Sequence, residues 1–102
     1  MNYTLDDNIV KACAGIVGAD IKKGPYRSAI EEAKKSIGTD FAPGAQRERK
    51  KLVDAIELNL TSRKKNPIAA LICTYNIPVT YHQFLDEKHK FCYELAKNLG
   101  MI

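Results

Sequence analysis

Apolar positions recur along this chain with a period near 3.6, and the clearest stretch is the last one. From Thr80 to Gly100 the sequence reads TYHQFLDEKHKFCYELAKNLG. At about 100° per residue, Tyr81, Phe84, Leu85, Phe91, Cys92, Leu95, Ala96 and Leu99 share one arc of about 140°. Thr80 followed by Gln83 is a capping-box pattern, in which hydroxyl and amide each take up a free backbone N–H. Gly100 stands just past the last apolar residue, where a left-handed residue closes a helix. A helix over 80–99 is expected, with the rest of the chain wrapped round it. Lys88 falls near the middle of its apolar arc, so it either snorkels to the edge or marks where the helix meets a partner.

Four earlier segments carry the same kind of signal. Thr4 with Asp7 caps a pattern of Leu5, Ile9, Cys13, Ile16 and Val17, which predicts a helix over about 4–17. Pro25 opens a second, about 25–37, with Ala29, Ile30, Ala33 and Ile37 inward and Gly38 as its stop. The turn chemistry of TDFAPG follows, with Phe41 as a plug into the core. Over about 45–63, Leu52, Val53, Ile56 and Leu60 form one face, while Arg47, Lys50 and Lys51 cluster opposite; Leu58 sits unexplained on that polar side. Asn66-Pro67 caps IAALICTY, a helix over 67–75 so uniformly apolar that burial on most sides is expected. Asn76 ends it in the left-handed conformation. The fold class is therefore all-α, a single domain of five helices over residues 1–102.

Composition sets the outer limits. With 102 residues, 27% charged and 45% hydrophobic, the chain is one ordinary globular domain. No apolar run approaches the roughly 20 residues that span a bilayer, and MNYTLDD lacks the basic-then-apolar pattern of a secretory signal. A cytoplasmic protein without membrane contact is the expectation. Cys13, Cys73 and Cys92 are odd in number and occupy helix-like apolar positions, which suits reduced, buried thiols.

Charge changes the picture once it is located. The net charge is +4. Residues 1–42 carry six basic and six acidic side chains, and residues 66–102 carry three of each; residues 43–65 carry seven basic and three acidic. The excess thus lies in one segment, where Arg47, Lys50, Lys51, Arg63, Lys64 and Lys65 are placed to neutralise phosphates. Arg49 and Arg63 point by angle toward the apolar side and can lay their stems over the edge of the core.

The short apolar helix, tight turn and long helix of the C-terminal third have the connectivity of a helix-turn-helix, the arrangement that seats a recognition helix in a major groove. The exposed side of the last helix, with His82, Gln83, Lys90 and Tyr93, is then the base-reading surface. Its charges cancel, and no Gly stands at the turn. NIPVTYHQF followed by KFCYELAKNLGMI resembles the C-terminal parts of small helical proteins from phages and mobile elements of Gram-positive bacteria. The resemblance covers about a third of the chain and carries no catalytic residue across.

His82 and His89 lie seven apart on one helix edge, and His89 with Cys92 has i, i+3 metal spacing. A fourth ligand is missing and Cys92 turns inward, so neither metal nor cofactor is expected. No phosphate loop, nucleophile elbow, zinc signature or acid–base pair is present. The reading is a non-catalytic nucleic-acid-binding protein, most simply of double-stranded DNA, in a regulatory or accessory role. The alternative is a protein-interaction or inhibitor module acting through His82, His89 and Tyr93, or a homodimer built around Lys88.

Overall fold

A computed structural model describes residues 7–19, 26–39, 44–62 and 64–101. Five α-helices follow one another: α1 (Asp7–Ala19), α2 (Arg27–Lys34), α3 (Gln46–Thr61), α4 (Ile68–Tyr75) and α5 (Tyr81–Asn98). No strand occurs among the described residues. The all-α bundle expected from periodicity is the observed architecture, and α5 packs against all four other helices. Thr4, Pro25, Phe41 and Arg63, each given a role above, lie outside the described residues.

The end signals of α5 work as their chemistry requires. Gln83 N donates to Thr80 Oγ1 at 3.1 Å and Thr80 N donates to Gln83 Oε1 at 2.8 Å, so two otherwise orphaned donors are satisfied. Gly100 takes φ 73°, and Met101 N reaches back to Ala96 O at 2.8 Å, the closure that a left-handed C′ residue permits. Phe84, Phe91, Cys92, Leu95 and Ala96 are buried, in contact with a core drawn from every helix: Cys13, Val17, Ile30, Ala33, Leu52, Ile56 and Leu71 among others. Tyr81, placed in the apolar arc by angle, is instead exposed at the first turn.

The second helix is shorter than its pattern. After Lys34 the backbone winds more tightly, with Ser36 N to Ala33 O and Ile37 N to Lys34 O at 3.1 Å, and Gly38 at φ 69° stops it. Ile37 still reaches the core. The carbonyls left open at this end are taken by α3: Arg49 Nε donates to Ile37 O at 2.7 Å and Nη2 to Lys35 O at 3.0 Å. A guanidinium here also complements the negative end of the helix dipole. From α5, Glu87 Oε2 accepts the Gly38 N–H at 2.8 Å.

Two expectations about α4 are corrected. Its start does not use Asn66 as a cap: Pro67 is the N-cap, with no side-chain hydrogen bond. Asn66 Nδ2 donates instead to Leu58 O at 3.3 Å. Nor is the helix buried on most sides. Only Ile68 and Leu71 are buried, while Ala69, Ala70, Cys73, Thr74 and Tyr75 face outward, because α4 touches only α3 and α5 to any extent. Cys73 is therefore an exposed thiol, unlike Cys13 and Cys92.

Candidate nucleic-acid interface

The outward face of α3 follows from its sequence. Leu52, Ala55, Ile56, Asn59 and Leu60 form the buried stripe, which leaves Arg47, Lys50, Asp54, Leu58 and Thr61 exposed and Lys51 half-exposed. Lys64 and Lys65 stand exposed in the turn to α4. Two asparagines pin that turn: Asn59 Nδ2 donates to Asn66 O at 2.8 Å, and Asn66 in turn holds Leu58 O. Asn59 is 2% exposed, so a core residue fixes where the two lysines are displayed. Its Oδ1 is buried and has no partner among the described residues.

Acidic neighbours divide the cations of the molecule into two groups. Arg27, Lys34, Lys35, Lys50 and Lys90 each lie within 4.0 Å of a carboxylate. The Lys50–Asp54 pair is long, at 3.5 Å, and both side chains are well exposed, so it holds little charge back from a ligand. Arg47, Lys51, Lys64 and Lys65 have no such partner among the described residues, and neither do Lys11 of α1 and Lys97 of α5. Of the other carboxylates of α3, Glu57 is turned to Lys34 of α2 at 3.0 Å, while Glu48, in the first turn beside Arg47, has no cation within 4.0 Å among the described residues. Among the described residues the fold thus leaves four unpaired cations together on α3 and the turn after it, against one unpaired carboxylate there, Glu48.

Beside these cations runs a groove of about 480 Å³, lined by Lys51, Asp54, Ala55, Glu57, Leu58 and Thr61 of α3 and Tyr75 of α4. Leu58 is 36% and Tyr75 44% exposed. Periodicity alone assigns no role to Leu58 and does not single out Tyr75. The available signal was its place at the end of an apolar helix, one residue before the left-handed Asn76.

The α5 surface is arranged differently from its expectation. Gln83 spends its amide oxygen in the capping box. Lys90 is only 12% exposed, held by Glu87 at 3.1 Å and donating to Thr39 Oγ1 at 3.2 Å. Tyr93 is half-buried and engaged in a contact of its own. His82 remains exposed, edge-on to Tyr81 with ring centroids 6.0 Å apart. His89 is half-buried and lines a second cavity, of about 370 Å³, with Lys88 and Asn59. Lys88 itself is 5% exposed and has an interaction within the chain.

Among the described residues no three His, Cys, Asp or Glu side chains gather as a metal site, and no helix is long and apolar enough to cross a membrane. Comparison of the chain with protein-family models, curated proteins and solved structures finds no match, so no relative's chemistry transfers to this surface.

Proposed function

We propose that this protein binds the phosphate backbone of nucleic acid through the outward face of α3 and the α3–α4 turn, in a non-catalytic regulatory or accessory role. One observation carries the reading: Arg47, Lys51, Lys64 and Lys65 lack acidic partners among the described residues, and Lys50 adds a charge only loosely held. Arg63 lies between the two clusters in sequence. Cations in this state gain most from phosphates, because each contact releases condensed counterions without first breaking an internal ion pair. His82, Gln83, Lys90 and Tyr93 do not serve here as the primary contact, since all four side chains already have intramolecular contacts.

The experiment is binding to a mixed nucleic-acid pool at two salt concentrations, with Lys50, Lys51, Lys64 and Lys65 changed together to Gln. Log affinity of the wild type falls against log salt with a slope of about −0.7 to −0.9 per phosphate contact, and the quadruple variant binds more weakly with a shallower slope. Binding indifferent to both salt and substitution, or no binding in low salt, sinks the reading. The competing function, a module that captures another protein, is favoured by the exposure of Leu58 and Tyr75.

A further inference from the structure

We infer that the groove between α3 and α4 seats an unstacked nucleobase against Tyr75 and Leu58, so that the nucleic acid bound is single-stranded. The inference rests on the phosphate-binding reading and adds what the backbone contacts leave open. Exposed Tyr75 and Leu58 line one depression of about 480 Å³, within the range of small-molecule sites. Lys51 lines the same depression and has no ion-pair partner among the described residues. A ligand filling it therefore meets an aromatic ring, an aliphatic branch and a cation at one place. A strand with a base turned out satisfies all three, the base against the apolar pair and its phosphate on the ammonium.

Two carboxylates also line the groove: Glu57 is held by Lys34 at 3.0 Å, and Asp54, only loosely paired with Lys50, directs the phosphate toward Lys51 and away from its own end of the groove. Arg47 and Lys50 lie on the same exposed side of α3, which supplies cations for flanking phosphates. In a duplex the bases are stacked and paired, so filling the groove would first require unstacking one. A strand with free bases carries no such cost, and Tyr75 tolerates any of them because every base has a π-face.

The test uses the full chain and two fluorescent oligonucleotides of one mixed sequence, about 12 nucleotides long, single-stranded and as its duplex, followed by anisotropy in low salt. The wild type binds the single strand more tightly than the duplex. Tyr75→Ala loses about 5- to 150-fold on the single strand, with duplex affinity and the salt slope unchanged, and Tyr75→Phe restores the preference. Single-strand affinity indifferent to Tyr75→Ala, or weakened equally with the duplex, overturns the base seat. If the quadruple Gln variant still weakens binding in that case, phosphate binding survives and the groove is left to a protein side chain. If the wild type binds neither oligonucleotide, both proposals fall together.

Discussion

Cys13 and Cys92 meet where α1 packs on α5, with the Cys13 thiol donating to the Cys92 carbonyl at 3.5 Å and neither residue exposed. The adjoining Cys13 side chain and burial both push the Cys92 thiol well above its usual range, against the weaker pull of Lys88. A group whose folded pKa lies above its unfolded one stabilises the fold fully below the unfolded value, here about 8.5. That stability is lost as pH rises past it, because only the unfolded chain then releases the proton. The same contact lowers the Cys13 thiol and so offsets part of this loss. The unfolding free energy of the wild type, from urea titration, is expected to fall between about pH 8 and about pH 10 by less than about 1.4 kcal/mol per pH unit from this pair. Cys92→Ala, though less stable throughout, should show a shallower decline. Parallel declines for the two proteins would show that the thiol is not the cause.

At the scale of elements, the joint between α2 and α3 is where one residue serves two helices. Arg49 belongs to α3 but closes the carbonyl end of α2, and a Cβ added to Gly38 would stand 2.9 Å from Arg49 Cγ. Arg49→Gln removes charge-assisted bonds and should cost about 1.5 to 3 kcal/mol. Gly38→Ala forces an L-residue into φ 69°, at about 1 to 2 kcal/mol, and displaces the arginine as well. Because both changes damage one joint, the double variant should lose less than the sum of the two. Denaturant titration of the three proteins decides it, with strict additivity counting against a shared joint. The sequence made Gly38 legible as a stop and Arg49 as a residue on the apolar edge. That they meet was not legible, since the contact joins positions on two helices whose relative placement periodicity does not encode.

For the whole molecule, stability is expected to depend on α5 far more than on the proposed interface. Phe84 and Phe91 are fully buried at the contacts α5 makes with its neighbours. Truncating either to Ala should cost about 3 to 5 kcal/mol, a large share of the about 5 to 15 kcal/mol typical of a domain. Tyr75→Ala and Leu58→Ala, at exposed positions, should stay within about 0.5 kcal/mol of the wild type. Thermal or urea unfolding of the four variants checks this separation. A midpoint unmoved by Phe91→Ala would deny α5 its place at the centre, and a large loss from Tyr75→Ala would make that ring part of the core.

The helices and their inward faces belong to the sequence by itself wherever the pattern is periodic and its ends are marked by local chemistry. Thr80, Gln83 and Gly100 bond within their own turns, and the phenylalanines of α5 recur on one side whatever else surrounds them. In α4 the same reasoning had nothing to work on, because IAALICTY is apolar all round and no face stands out. Only packing against α3 and α5 selected Ile68 and Leu71 for the interior and left Tyr75 beside Leu58 in the open. Charge divides in the same way. A count along the chain located the excess between residues 43 and 65, but the tertiary structure decided which cations are neutralised. Lys34 finds Glu57, and Glu87 takes the Gly38 N–H, across long stretches of chain. A sequence lists such groups without their distances, and an ion pair or a hydrogen bond exists only at a distance.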